Sequence, residues 1–129
     1  MTRIDPLIAV VDDEAPVRTM LGRLLRLADY EVAAFASGEE FLASLAQRTP
    51  ACAVLDIHMP GLSGFDVRSR LRASGSDLPV VFITASDDPA LDQIVQDERG
   101  VKLLRKPFTS DELVGAVGAA LRSKACDES

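Results

Sequence analysis

The chain has 129 residues, 47% of them hydrophobic, with a formal net charge of −6 and two cysteines. That length reads as one domain with a sizeable core, and the composition is wrong for intrinsic disorder. The acidic balance excludes ordinary nucleic-acid binding, which needs clustered Lys and Arg against phosphate, and Cys52 and Cys126 form no C-x-x-C pattern, so neither a disulfide nor a thiolate metal site is expected.

The N-terminus offers only five consecutive apolar residues, 7–11, before charge returns. This is too short for a signal-peptide core, and no charge-free stretch reaches the length of a membrane span, so a cytoplasmic chain without membrane contact is expected. Arg68, Arg70 and Arg72 spread around a helix and are read as solvated surface.

In chain order, "LIAVV" (7–11) is the first strand pattern. Residues 15–28 follow with Val17, Met20, Leu21, Leu24, Leu25 and Ala28 at helical spacing, and Pro16 suits a first helical turn. "EVAAF" (31–35) is a second strand, then Phe41, Leu42 and Leu45 mark a second helix behind the capping box Ser37/Glu40. "ACAVL" (51–55) leads to a weaker helical stripe at Phe65 and Leu71, with Ser63/Asp66 as a looser box. "PVVFI" (79–83) precedes the weakest helix, Leu91, Ile94 and Val95, where Asp88 and Pro89 read as N-cap and first turn. "VKLL" (101–104) precedes Leu113, Val114, Val117 and Leu121, behind the box Thr109/Glu112.

Strand and helix therefore alternate five times. Several strands are continuously apolar, which means burial on both faces and a parallel sheet covered by helices. The expected fold is a three-layer α/β/α domain, doubly wound on a five-stranded parallel sheet. One domain over 1–129 is expected, with its core at about 6–122 and a frayed tail at 123–129.

Ligands of such sheets bind outside the carboxyl ends of the strands. Asp12 and Asp13 follow the first strand, Asp56 the third, Thr84 the fourth and Lys106 the fifth. Taken singly, each has an ordinary explanation as a turn former or loop residue. Jointly they bring three carboxylates, a hydroxyl and an ammonium to one edge. Carboxylate oxygens suit a hard divalent cation such as Mg²⁺, which would relieve their repulsion and leave one carboxylate able to attack phosphorus. Lys106 would supply a point charge for phosphoryl oxygens and Thr84 a donor.

"VVDDE", "LDIHMPGLSG", "ITAS" and "KPF", in this order, resemble the receiver domain of two-component response regulators over roughly residues 6–122. "KPF" followed by a capping box particularly resembles regulators of the FixJ and LuxR type. The resemblance implies a flavodoxin-like strand order 2-1-3-4-5 and a phosphorylation-dependent switch. Asp56 would accept a phosphoryl group from a phosphohistidine of a sensor kinase or histidine phosphotransfer protein. Asp13 would bind Mg²⁺ directly, Asp12 through water, and the carbonyl of His58 would complete the set. Thr84 and Lys106 would meet the phosphoryl group, and the Lys106–Pro107 bond would be cis. The product is a conformational change acting on an output domain, a partner protein or a second copy, not turnover of an outside substrate. The chain departs from the family at Leu103, where Tyr or Phe is usual, so the face built by the fourth helix, fifth strand and fifth helix is expected to signal differently. His58, the only histidine, and Ser86 stand two residues past Asp56 and Thr84, where side chains tune the site or merely face solvent.

Two other readings are weaker. A haloacid-dehalogenase-type phosphatase needs a second Asp where His58 stands. A phosphorylation-independent interaction module would usually lack the acceptor or the acidic pair, and both are present.

Overall fold

The computed structural model describes residues 6–96 and 101–128, the side chains of 94, 96 and 123–128 excepted. Five strands, β1 (Leu7–Val11), β2 (Glu31–Phe35), β3 (Cys52–Asp56), β4 (Val80–Thr84) and β5 (Val101–Arg105), alternate with five helices. These are α1 (Ala15–Leu27), α2 (Gly38–Ser44), α3 (Gly64–Ala73), α4 (Ala90–Gln96) and α5 (Ser110–Glu128). All four strand pairings are parallel, in the order β2-β1-β3-β4-β5. This is the doubly wound parallel architecture expected from the apolar runs, with the flavodoxin-like strand order that the resemblance implies.

Strand periodicity sorts the core into two layers. Ala9, Val11, Ala53, Leu55 and Phe82 face Phe41 of α2, Val67 and Leu71 of α3 and Leu91 of α4. Ile8, Val10, Val54, Val81 and Ile83 face Leu21 and Leu25 of α1 and Leu113, Val117 and Ala120 of α5. Burying one such side chain contributes about 1.5–3 kcal/mol relative to leaving it in water, so the two layers dominate stability. Phe65 of α3, weak as a sequence signal, sets its ring edge-on to Phe82 at 4.9 Å between centroids.

Several boundaries differ from the sequence expectation. β3 and β4 each start and end one residue later, so Asp56 and Thr84 are the last strand residues, not the first loop residues. Pro79 has no N–H to give a ladder, yet its carbonyl accepts from Ala53 N–H at 3.0 Å. At the other end the ladder continues, with Ile57 N–H bonded to the carbonyl of Ile83 at 2.9 Å. β5 likewise includes Arg105. Within α1, Leu21 and Leu25 are buried while Met20 is 43% exposed, at the rim of the stripe that was expected to hold it. Residues 123–128 continue α5 where a frayed tail was expected, since no Gly or Pro follows Gly118 to stop the helix.

The caps work as their residue types require, with one shift. Ser63 and Asp66 form a complete reciprocal box at 3.1 and 3.0 Å, tighter than the sequence ranking. Thr109 and Glu112 do the same for α5. Ser37 accepts from Glu40 N–H, but the Glu40 carboxylate reaches Ala36 N–H instead of Ser37. Cys52 is buried inside β3, where burial pushes its thiol up to about 12, so it is inert. The expectation for Cys126 lies outside the described side chains. Arg70 and Arg72 are exposed, as a solvated face requires, whereas Arg68, expected to share that face, is half-buried with its Nε out of solvent.

Candidate functional site

The sheet reverses its winding at β1, whose two neighbours β2 and β3 lead the chain in opposite directions. A crevice at the carboxyl ends of β1 and β3 follows from that topology. Val11 is in register with Leu55, so Asp12, the first residue past β1, and Asp56, the last of β3, stand side by side. Asp12 is fully buried and Asp56 only 5% exposed, whereas Asp13 turns out to solvent. One carboxylate oxygen from each of Asp12, Asp13 and Asp56 lies within 4.8 Å of the others.

Local bonds hold these carboxylates. Asp12 Oδ1 accepts from Glu14 N–H at 2.9 Å, and Asp56 Oδ1 accepts from His58 N–H at 3.3 Å. Asp12 Oδ2 is buried and has no hydrogen-bond donor among the described residues. Lys106 Nζ, at 3.8 Å, is the cation paired with it among the described residues. An orphaned carboxylate oxygen, buried beside a second buried acid, costs free energy unless a cation or donor meets it. These carboxylates could hold a cation in addition to the Lys106 ammonium.

The titration behaviour follows. Burial, first, and then the negative charge of Asp12 push Asp56 up to about 6. Burial also raises Asp12. Lys106 opposes both shifts without cancelling them.

β4 and β5 supply the remaining groups. Thr84 is fully buried at the end of β4, and its hydroxyl accepts from Ser86 N–H at 3.0 Å. Lys106 N–H donates to the Thr84 carbonyl at 2.8 Å, which fixes the start of the segment carrying the ammonium. The Lys106–Pro107 bond is cis, as expected. All the anticipated side chains thus stand at one sheet edge, and Asp12, Asp13, Asp56 and Lys106 form one cluster of charge. The side chain of His58 does not join the cluster; it is exposed, and only its backbone N–H contacts Asp56. Leu103 is half-buried against the core layer that contains Phe82, its register partner.

Three supporting residues escaped the sequence reading. Gly64 opens α3 so close to β3 that a Cβ there would stand 2.7 Å from the Asp56 carbonyl oxygen. The "LSG" preceding the helix was the available signal. Arg18 of α1 donates to the Asp12 carbonyl at 2.7 Å. Glu39 of α2 accepts from Leu62 N–H at 3.2 Å and so ties down the loop after Asp56. The last two are contacts between separate elements with no local sequence signature.

The same frame appears in known proteins. The profile of the response regulator receiver domain matches residues 8–118. Nodulation protein W of Bradyrhizobium diazoefficiens is 37% identical over 114 residues, which is 88% of this chain and 50% of that protein. Response regulator MprA of a Mycobacterium species is 38% identical over 121 residues, 94% of this chain and 53% of that protein. The chain therefore spans about half the length of the curated relatives it matches. Among solved structures, a response regulator receiver protein from Burkholderia phymatum is 38% identical with a TM-score of 0.79, covering 92% of this chain and 96% of that one. Chemotaxis protein CheY4 of Vibrio cholerae gives a TM-score of 0.83 at 26% identity over 92% of this chain and 100% of that one. With the acidic edge, the parallel sheet and a profile match across most of its length, this chain belongs to the response regulator receiver domain family.

Proposed function

We propose that this domain is a phosphorylation-dependent switch that takes a phosphoryl group onto Asp56 from the phosphohistidine of a sensor kinase or phosphotransfer protein. The observation that carries the reading is the buried Asp12–Asp56 pair with Asp13 and Lys106 at the ends of β1, β3 and β5. An Asp56 oxygen attacks phosphorus. The bond from phosphorus to the imidazole nitrogen breaks, its electron pair returns to the ring, and an acyl phosphate is left on Asp56. Lys106 meets the charge of the phosphoryl oxygens, and the Thr84 hydroxyl, which still has its proton to give while it accepts from Ser86, donates to one of them.

The residues present fit Mg²⁺. Asp13 and Asp56 would hold it through carboxylate oxygens and His58 through its carbonyl, with Asp12 behind them through water, and the free Asp12 Oδ2 is the oxygen that calls for it. When bound, the ion neutralises phosphoryl oxygens and removes the repulsion among the carboxylates. Burial of Asp56 raises its basicity, and a more basic carboxylate is a better nucleophile once ionised.

The consequence is a change in conformation transmitted to an output domain, a partner protein or a second copy of the chain, with no outside substrate turned over. The relatives carry about as much chain again, where an output domain would reside. A cytoplasmic location belongs to the same reading; no described helix is long and apolar enough to cross a membrane. Mass spectrometry after treatment with a small phosphodonor and Mg²⁺ tests the reading. One added phosphoryl, absent from Asp56→Asn, is expected; an unmodified native chain would overturn it.

A further inference from the structure

We propose that Arg105 is a positioning residue, which orients the Thr84 hydroxyl by clamping the β4–α4 loop to the end of β5. The proposal rests on the receiver reading of Asp56 and Thr84.

The loop between β4 and α4, residues 85–89, has no ladder of its own. It is held from inside by a staircase of side-chain oxygens. Thr84 Oγ1 accepts from Ser86 N–H at 3.0 Å, Ser86 Oγ from Asp88 N–H at 3.2 Å, and Asp88 Oδ1 from Ala90 N–H at 2.9 Å. Each step spans two residues, so the Thr84 hydroxyl is linked to the first turn of α4 through three consecutive bonds. Local bonds of this kind fix turns but carry no long-range anchor.

Arg105 supplies that anchor with all three nitrogens. Nε donates to the Ser86 carbonyl at 3.0 Å, Nη2 to the Asp88 carbonyl at 2.8 Å, and Nη1 to Asp92 Oδ1 at 2.9 Å. The same two residues that form the middle steps of the staircase thus have their carbonyls gripped by one planar cation, which also reaches α4. A planar fork constrains direction as well as distance, which an ammonium does not. Thr84 and Arg105 are themselves register partners across β4 and β5, so the clamp closes a ring from the hydroxyl, through the loop, back to the strand beside it. β5 contributes no aromatic side chain to that connection.

Two measurements on the chain test this. Hydrogen exchange needs no phosphodonor. In Arg105→Ala the amides of Ser86, Asp88 and Ala90 should exchange about tenfold faster, while core amides of β1 and β3 keep their protection. Asp92→Asn, which leaves both carbonyl bonds in place, should have a smaller effect, and Arg105→Lys should not restore protection. Exchange unchanged within about twofold in Arg105→Ala would overturn the clamp. The second measurement is the rate of phosphoryl uptake from a small phosphodonor in a double-mutant cycle with Thr84→Ala. Arg105→Ala should slow uptake about tenfold in the native background and have no further effect when Thr84 is already Ala. Additive losses would show that Arg105 does not act through the hydroxyl. A native chain that takes up no phosphoryl would overturn the receiver reading and the role at Thr84 together, and the exchange result would still decide whether Arg105 clamps the loop.

Discussion

Lys106 Nζ stands 3.8 Å from Asp12 Oδ2, the one carboxylate oxygen of a fully buried side chain that no donor reaches among the described residues. The distance is a charge contact, beyond hydrogen-bond range. Its effect extends past Asp12, since the ammonium also holds Asp56 below the value that burial would impose. Lys106→Met should therefore move both carboxyl groups upward, taking Asp56 above about 6. Carbon NMR titration of the two carboxyls in cation-free buffer reads this directly. Titration curves that do not move would show that Lys106 is electrostatically uncoupled from the acids.

The raised Asp56 has a consequence for stability. Its folded value is about 6 against an ordinary 3.8. Between those values the folded chain retains a proton that the unfolded chain has released. Stability from this group is present in full below about pH 4 and is lost as pH rises through about 6. At about 1.4 kcal/mol per unit, the loss is on the order of 2 to 3 kcal/mol. Asp12 shifts in the same sense, whereas Glu31 and Asp92, lowered by Arg48 and Arg105, act oppositely. All three remain in Asp56→Asn, which cannot ionise at this position. Urea unfolding with chelator present should find the native protein losing stability relative to Asp56→Asn between pH 5 and 7.5. Parallel pH profiles would contradict the raised value.

Gly64 tests how closely α3 must approach the acceptor. A Cβ there would lie 2.7 Å from the Asp56 carbonyl oxygen and 3.1 Å from Ile57 Cα, both backbone atoms that cannot turn aside. Gly64→Ala is expected to cost about 1–3 kcal/mol by overpacking and to slow phosphoryl uptake by displacing Asp56. Gly115, in the exposed middle of α5 with nothing within 4 Å, is the control. Gly115→Ala should be neutral or stabilising by up to about 1 kcal/mol, because helix interiors favour Ala. Equal effects at the two positions would show that proximity to Asp56 is irrelevant.

The contrast between these glycines shows what a sequence makes legible. Continuous apolar runs at 7–11 and 51–55 announce strands buried on both faces, and those strands deliver Asp12 and Asp56 to one edge. The periodic signals of α1 and α5 likewise predict which faces pack, because Leu25 and Val117 obey the helix repeat. Strand ends are less legible. Asp56 and Thr84 belong to their strands because backbone groups of neighbouring strands pair with them, and polar side chains there look like loop. Least legible are contacts made by one element on another. Arg18 on the Asp12 carbonyl, Glu39 on Leu62 N–H and Arg105 on the β4–α4 loop have no periodicity or local motif. Long polar side chains at surface positions look alike until the fold places an acceptor in front of them.

The acidic cluster itself makes the last prediction. Asp12, Asp13 and Asp56 offer three oxygens within 4.8 Å, two from buried side chains, and Lys106 is a single charge set against them. A hard divalent cation that binds the folded chain alone must stabilise it, by about 1.4 kcal/mol at ten times its dissociation constant. Thermal unfolding at neutral pH should shift upward by a few degrees with millimolar Mg²⁺ and return with chelator. Asp13→Asn removes an exposed carboxylate whose charge is a minor contributor to the upward shifts of Asp12 and Asp56, so the chelated variant should unfold close to the native chain yet lose the Mg²⁺ shift. Asp12→Asn differs: it removes a buried charge whose Oδ2 has no donor, so the chelated variant should gain stability while it too responds less to Mg²⁺. The two substitutions thus separate holding the ion from bearing the cost of a buried carboxylate. A native chain indifferent to Mg²⁺ would mean that Lys106 alone balances the cluster, and the orphaned oxygen of Asp12 would then need another explanation.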